Sequence, residues 1–240
     1  EYTLPANDGR NHLHGGPLGF GERIWDIADC DDNKAVFTLD SCDGDMGYPG
    51  NVHVQCTYAL SDDGKLSVNY EATTDKATPI CLTNHSYFDL CGAGSGRTLE
   101  MHLRLDCERI CNTDKALIPN GSFTEVYGTP YDFTEEKPLG RDINVDFGLL
   151  RHCCGYDTNY FIIGFDGTLR RVGRLSDPQS GRKMDIYTDL PCIQLYTGNM
   201  IGEDNPPFYG KYKSHDHMGV CLETQVMPNA VNCPGITDTI

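Results

Sequence analysis

The stretch VHVQCTYALSDDGKLSVNYEA, residues 52–72, determines the fold class that the sequence predicts. Apolar or aromatic residues take every second position over residues 52–60, and the same alternation returns over residues 66–72. The turn formers Asp63-Gly64 lie between the two runs. A period of two is typical of a β-strand with one buried face, and two such runs around an Asp-Gly turn predict a β-hairpin.

The composition extends this prediction to the whole chain. Its 240 residues include 26 glycines and 13 prolines, and 39% of the residues are hydrophobic. That mixture is typical of many short strands joined by turns, and all-β chains of this length often form one domain. We therefore predict an all-β, antiparallel protein with a single domain over residues 1–240 and a short helix at residues 142–149.

The net charge excludes several classes of partner. At −16, the chain repels nucleic-acid phosphates and anionic membrane surfaces. It contains no apolar run close to the roughly 20 residues that span a bilayer. The start of the sequence has the features of neither a signal peptide nor a transit peptide. We expect a cytoplasmic protein with no nucleic-acid or membrane partner.

Twelve cysteines occur at irregular spacing, without a C-x-x-C pair. Four of them, Cys56, Cys81, Cys192 and Cys221, lie inside apolar, strand-like runs. We interpret these four as small buried hydrophobic residues in a reducing compartment. A disulfide framework is the alternative.

The stretch TNHSYFDL, residues 83–90, carries the first candidate for chemistry. It follows residues 78–82, whose apolar and β-branched character predicts a strand with a proline near its start. His85 has a side chain that exchanges a proton near neutral pH, and Tyr87 would lie on the same side of a strand. A structural histidine in a β-sheet is the alternative interpretation.

Further polar candidates lie on separate strand-like runs. Glu223 is surrounded by apolar residues, and burying its carboxylate would cost several kcal/mol unless it were paired or protonated; an exposed strand position is the alternative. Asp157 precedes an apolar strand, and Gln194 lies inside another. With His14 and His85 they form a set of hydrogen-bonding groups that suits an uncharged, polyhydroxylated ligand such as a sugar.

Other functional patterns are missing from the sequence. It contains no Ser-His-Asp order, no phosphate-binding glycine loop, no dinucleotide-binding glycine pattern and no HExxH. His12 and His14 have an H-x-H spacing, but no acidic or thiol partner follows at ligand spacing. We therefore predict no metal site.

Taken in order, five stretches resemble the aldose 1-epimerase family, also called the galactose mutarotase family. They cover essentially the whole chain, and their shared order makes the resemblance specific. The stretches are residues 11–16 with Gly19-Phe20, residues 84–90, residues 155–157 with Asn159, residues 191–199, and residues 221–225 with Pro228, Asn229 and Asn232.

The resemblance implies a large antiparallel β-sandwich of the galactose mutarotase type. It also implies interconversion of the α and β anomers of free hexoses such as galactose and glucose, without a cofactor. By position in the motifs, His85 would be the general acid that protonates the ring oxygen. Glu223 would be the general base that takes the proton of the anomeric hydroxyl.

The same resemblance implies the substrate contacts. His14 would hydrogen-bond the ring region, Asp157 and Gln194 would hold hydroxyl groups, and Tyr87 would line the pocket. The partner is then a small-molecule hexose, bound by a monomer or a homodimer. Two alternatives remain on the same scaffold: a hexose-6-phosphate mutarotase, which would need a basic pocket, and a catalytically silent sugar-binding or regulatory protein.

Two features depart from the family pattern. Asp89 stands where the family usually has asparagine after Tyr-Phe. The family also carries an Asn-Arg pair upstream of the His-Gly-Gly motif, and the sequence begins after that point. We therefore expect a mutarotase-like domain that is incomplete at both ends.

Overall fold

The computed structural model describes residues 2–207 and 210–233, and strands dominate its regular structure. The helical segments among these residues are short 3-10 helices, at Phe20–Glu22, Asp45–Gly47, Thr98–Glu100 and Ala230–Asn232. Every strand pairing is antiparallel, so the predicted fold class is confirmed. No helix among the described residues is long and apolar enough to cross a membrane.

The chain divides into two compact units, Glu1–Leu82 and Thr83–Ile240. The prediction of a single domain over residues 1–240 stays a prediction. The first unit holds a four-stranded sheet in the order β1-β2-β3-β4. Its strands are β1 (Asp26–Cys30), β2 (Lys34–Ser41), β3 (Val52–Leu60) and β4 (Leu66–Thr74).

The hairpin predicted from residues 52–72 is β3 and β4. Their register pairs Val52 with Thr74 and Leu60 with Leu66. Along β3 the buried side chains are Val52, Val54 and Cys56, two residues apart, as the alternation of the sequence requires.

The second unit holds two sheets, one of four strands in the order β11-β10-β5-β8 and one of five in the order β13-β12-β9-β6-β7. The four-stranded sheet contains β5 (His102–Leu105), β8 (Lys137–Pro138), β10 (Arg170–Ser176) and β11 (Lys183–Thr188). The five-stranded sheet contains β6 (Cys107–Thr113), β7 (Pro119–Glu125), β9 (Asp157–Ile162), β12 (Cys192–Tyr196) and β13 (Cys221–Gln225).

A single buried hydrophobic cluster joins the two sheets of the second unit. Leu103 on β5 and Leu175 on β10 contribute from the first sheet, and Ile193 on β12 and Leu222 on β13 contribute from the second. Two antiparallel sheets that share one core form a β-sandwich, which is the architecture expected from the resemblance.

Residues 78–82 do not form the predicted strand. They have no regular secondary structure, and Cys81 is exposed, contrary to the interpretation of that cysteine as buried. Pro79 lacks a backbone N–H, so the run cannot supply a full ladder of hydrogen bonds. Apolar, β-branched composition does not by itself make a segment a strand.

The predicted helix at residues 142–149 is also absent. The segment is a series of turns and bends. Gly148 has a positive φ of 57°, and the carboxylate of Asp142 accepts a hydrogen bond from the ammonium group of Lys137 at 2.7 Å. Short polar side chains that find partners outside the helix favour turns over helices.

Leu103 tests the shared core of the second unit. It is 0% exposed, so we expect Leu103→Ala to lower the free energy of unfolding by about 2–5 kcal/mol through lost burial and a residual cavity. Urea denaturation measures the change. The matched control is Leu169→Ala, since Leu169 is 71% exposed and its truncation is expected to change stability by about 0.5 kcal/mol or less. Equal losses in the two variants would contradict the assignment of the core.

Candidate active site

Three neighbouring strands at one end of the five-stranded sheet, β9, β12 and β13, share one polar face. Gln194 on β12 lies opposite Asn159 on β9 and Glu223 on β13. Two residues further along β12, Tyr196 lies opposite Asp157 on β9 and Cys221 on β13. Residues two apart on a strand share a face, so these six side chains form one surface, the site face: Asp157, Asn159, Gln194, Tyr196, Cys221 and Glu223.

The opposite face of the same strands is apolar. Ile193 and Leu195 alternate with Gln194 along β12, and both belong to the hydrophobic core. On the neighbouring strands, Tyr160 of β9 and Leu222 of β13 also alternate with residues of the site face and belong to the hydrophobic core. The core therefore sets the register that groups the polar side chains on the site face.

Residues 83–88 run beside β13. The hydroxyl of Thr83 donates a hydrogen bond to the carbonyl oxygen of Thr224 at 2.9 Å. At the other end, Phe88 and Val220 exchange two backbone hydrogen bonds, of 2.8 and 2.9 Å. These contacts hold the segment against the strand that carries Cys221 and Glu223, although the segment itself is not a strand.

This segment brings His85 to Glu223. Nε2 of His85 lies 3.7 Å from Oε1 of Glu223, too far for a direct hydrogen bond. The other ring nitrogen, Nδ1, lies 3.4 Å from Sγ of Cys221. The side chain of His85 is 35% exposed and that of Glu223 is 8% exposed, so a proton donor and a proton acceptor face each other across a gap at the surface.

Burial raises the pKa of the Glu223 carboxyl to about 7. His85 opposes this rise because its positive charge favours the carboxylate, and Asp157 adds to it because a second negative charge disfavours ionisation. A carboxyl group with a pKa near neutrality can both accept and return a proton at physiological pH.

Asp157 and Gln194 form a hydrogen-bonded pair on the site face. Nε2 of Gln194 donates to Oδ1 of Asp157 at 2.7 Å. Burial raises the pKa of Asp157, while the bond from Gln194 and the charge of His85 oppose the rise. The pair offers an amide and a carboxylate at fixed positions, which suits recognition of a ligand hydroxyl.

Gly155 allows β9 to begin at this point. Its φ is 150°, and a Cβ atom there would lie 2.2 Å from Oδ1 of Asn199 and 2.7 Å from Oγ1 of Thr197. No other residue fits without moving these buried side chains. The glycine therefore lets Asp157 reach its position opposite Tyr196.

Three aromatic rings form a cluster that includes His85. The ring centroids of His85 and Tyr87 are 5.3 Å apart, and the ring of Tyr196 lies 6.3 Å from His85 and 6.2 Å from Tyr87. Burial raises the pKa of the Tyr87 and Tyr196 hydroxyls, so both stay protonated and can donate hydrogen bonds.

His14 belongs to the first unit. It is exposed and has a positive φ of 53°. The backbone packs closely at this point, since a Cβ on Gly19 would lie 2.1 Å from the carbonyl oxygen of His14. Both ring nitrogens of the neighbouring His12 have partners, the carbonyl oxygen of Pro5 at 2.7 Å and the hydroxyl of Tyr48 at 3.0 Å.

Within the described residues, one group of side chains has ligand atoms close enough to hold a metal ion. His85, Cys221 and Glu223 each offer an atom, and these atoms lie within 4.8 Å of one another. Burial, with the charge of Glu223, raises the pKa of the Cys221 thiol, whereas a metal ligand must be a thiolate. The expectation that the site uses no metal stays a prediction.

Similarity to known proteins identifies the family. The whole chain, residues 1–240, matches the family model described as aldose 1-epimerase. The chain belongs to the aldose 1-epimerase family. The resemblance read from the five sequence stretches is therefore confirmed.

Among relatives in the aldose 1-epimerase family, a galactose mutarotase from Sus scrofa is 39% identical over 236 residues, covering 98% of this chain and 66% of the relative. An aldose 1-epimerase from Escherichia coli K12 is 34% identical over 233 residues, which cover 97% of this chain and 66% of that relative. The crystal structure of a GalM/aldose epimerase homologue from C. elegans superimposes with a TM-score of 0.84 at 25% identity, covering 98% of this chain and 70% of that one. The chain thus spans 66% of the length of the two sequence relatives.

The structure brings together five of the six site residues predicted from the aldose 1-epimerase motifs: His85, Tyr87, Asp157, Gln194 and Glu223. The sixth, His14, lies in the other unit. Cys221 and Tyr196 also line the site, and neither is among the residues predicted from the motifs. Their signal was available, because each lies two residues from a selected residue on the same strand.

Asp89, which departs from the usual asparagine of the aldose 1-epimerase family, has a local structural role. Its Oδ1 accepts a hydrogen bond from the backbone N–H of Cys91 at 2.9 Å, and its Oδ2 accepts one from the hydroxyl of Ser95 at 3.1 Å. The carboxylate therefore stabilises the glycine-rich turn that follows.

The raised pKa of Glu223 predicts a pH-dependent effect on stability. As pH rises from 4.5 to about 7, the unfolded chain releases this proton before the folded protein does, so ionisation opposes folding. We expect Glu223→Gln to change the free energy of unfolding little near pH 4 and to raise it by about 3 kcal/mol near pH 8. Urea denaturation across this pH range measures the difference. A difference that is constant with pH would show that the pKa of Glu223 is not raised.

Asp185 provides a control, because its pKa is lowered by folding whereas that of Glu223 is raised. Hydrogen bonds and charge from Arg174 and Arg171, partly offset by burial, lower its pKa to about 2. The carboxylate of Asp185 contributes fully to stability above about pH 3.8, and this contribution is lost as the pH falls toward about 2. We expect Asp185→Asn to destabilise the protein at neutral pH and to have no effect in strong acid.

Proposed function

We propose that this protein is an aldose 1-epimerase that interconverts the α and β anomers of free hexoses such as galactose and glucose. The observation that carries the proposal is the separation of 3.7 Å between Nε2 of His85 and Oε1 of Glu223. An epimerase needs an acid for the ring oxygen and a base for the anomeric hydroxyl, and both oxygens are bonded to the same carbon atom. An acid and a base that converge on one small region suit this chemistry.

In the proposed reaction, protonated His85 donates the Nε2 proton to the ring oxygen while the Glu223 carboxylate takes the proton of the anomeric hydroxyl. The electrons of that O–H bond form the carbonyl bond, the bond from the anomeric carbon to the ring oxygen breaks, and the ring oxygen leaves as a hydroxyl. Rotation about the bond between the first two carbons then turns the aldehyde. Closure on its other face reverses both proton transfers and returns His85 and Glu223 to their starting states.

Two features support an uncharged sugar as substrate. The site face and the residues beside it, His85 and Tyr87, include no lysine or arginine, so this described part of the site has neither of the side chains that usually bind a phosphate group. Asp157, Gln194 and Tyr87 offer hydrogen bonds to neutral hydroxyls, and aromatic rings suit the apolar face of a sugar. We assign His14 a contact with the sugar ring region from its motif alone.

The cysteines support a cytoplasmic location. No disulfide joins the twelve cysteines, all of which lie among the described residues. Thiols persist in a reducing compartment. The oligomeric state, monomer or homodimer, stays a prediction.

Anomer interconversion tests the proposal directly. Polarimetry measures how fast the optical rotation of freshly dissolved α-D-galactose or α-D-glucose reaches its equilibrium value, with and without the whole chain. We expect Glu223→Gln to lower kcat by about 10²–10⁴-fold, because the amide keeps the shape of the side chain but cannot accept the proton. A folded wild-type protein that binds these sugars without accelerating interconversion would favour the silent binding protein.

Glu125→Gln is the matched control for that measurement. Glu125 is the last residue of β7, in the same sheet as Glu223, and it is exposed. We expect this variant to keep wild-type kcat and KM. A similar loss in both variants would point to a general effect of removing negative charge, and would contradict the role of Glu223.

The proposed binding role of the Asp157–Gln194 pair predicts a different kinetic effect. We expect Gln194→Leu to raise KM about tenfold with a smaller change in kcat, since it removes a hydrogen bond made both before and during the reaction. Steady-state kinetics with α-D-galactose measures both constants. A loss confined to kcat would instead indicate that Gln194 acts on the transition state.

A further inference from the structure

Cys221 is the neighbour of His85 that the proposed reaction does not use. Its Sγ lies 3.4 Å from Nδ1 of His85, and the residue is 0% exposed. Nε2 on the same ring faces Glu223. The two nitrogens of the imidazole therefore have different environments, a buried thiol at one and the gap with the carboxylate at the other.

The thiol is neutral in this position. Burial, together with the negative charge of Glu223, raises the pKa of Cys221 well above its ordinary value. The sulfur also has a hydrogen-bond contact with the hydroxyl of Tyr87. A neutral sulfur is a weak acceptor and its S–H a weak donor, so it can orient a partner without adding a charge.

We propose that Cys221 is a positioning residue whose sulfur accepts a hydrogen bond from the Nδ1–H of His85, so that Nε2 is the nitrogen that loses and regains the proton. This inference rests on the proposed epimerase function for its catalytic consequence, but the position of the proton on His85 can be measured without any activity. Partners on the far nitrogen of an imidazole commonly set its tautomer.

The chemistry of the thiol suits this task. In the neutral state that follows proton donation, the proton of His85 stays on Nδ1 against the sulfur, and Nε2 is free to take the proton back from the new hydroxyl. A carboxylate in place of the thiol would stabilise the imidazolium and hold its proton. The acidic groups that act on His85 come instead from Glu223 on β13 and Asp157 on β9, and Tyr87 and Tyr196 supply neutral hydroxyls.

Nitrogen NMR of isotopically labelled histidine tests the tautomer directly. At a pH where His85 is neutral, we expect its proton on Nδ1 in the wild-type protein and a mixture of both tautomers in Cys221→Ala. Cys221→Ser, which keeps a neutral acceptor, is expected to restore the Nδ1–H form. Neutral His85 with its proton on Nε2 in the wild type would overturn the proposal.

Kinetics tests the consequence. We expect Cys221→Ala to lower kcat about tenfold with KM changed by about twofold or less, and Cys221→Ser to recover most of that kcat. Cys192→Ala is the matched control, because Cys192 is also fully buried and lies on the same side of the sheet, opposite Gln225 and Phe161 rather than beside His85. Equal losses in the two alanine variants, or an unchanged kcat in Cys221→Ala, would overturn the proposal.

The two measurements separate this inference from the proposed function. A wild-type protein with no epimerase activity but with the Nδ1–H tautomer would refute the function and leave the contact intact. An active protein with the Nε2–H tautomer would refute the role of Cys221 alone. If Cys221→Ala does not fold, the wild-type NMR result and the Cys221→Ser variant still decide the question.

Discussion

A carboxylate buried on a β-strand is the constraint around which this site is built. Glu223 loses most of its hydration on β13, and an unpaired charge in that position would cost several kcal/mol. The protein meets this cost with a raised pKa and with a histidine that can carry a positive charge 3.7 Å away. Because neither compensation is complete, a proton can move on and off the carboxyl group near neutral pH.

The register of three strands decides which side chains share that environment. Gln194 lies between Asn159 and Glu223, and the residues on either side of it along β12 are in the hydrophobic core. A shift of one residue would bury the amide in the core and expose Ile193 and Leu195 on the site face, which would be strongly unfavourable. Packing between the two sheets of the second unit thus holds the polar groups in place, and stability and function depend on the same alternation.

Much of this could be predicted from local patterns. The hairpin of β3 and β4 follows from alternating residues around Asp-Gly, and Glu223 and Gln194 were recognisable as polar residues inside apolar strands. Composition without knowledge of strand pairing does not predict the structure of two other segments. Residues 78–82 look like a strand but have no regular structure, and residues 142–149 form turns because Asp142 and Gly148 favour them. A strand needs a neighbour, and the sequence of one segment does not say whether a neighbour exists.

The fold class and the kinds of group available for chemistry follow from the sequence, since the period of the side chains and their unperturbed pKa values are local properties. Which of these groups meet depends on tertiary contacts. The segment with His85 lies against β13 through one backbone bridge and one threonine hydroxyl, contacts between residues more than 130 positions apart in sequence. That contact puts Nε2 toward Glu223 and Nδ1 toward Cys221, because the pairing of distant segments, and not the sequence around His85, sets the direction of the ring.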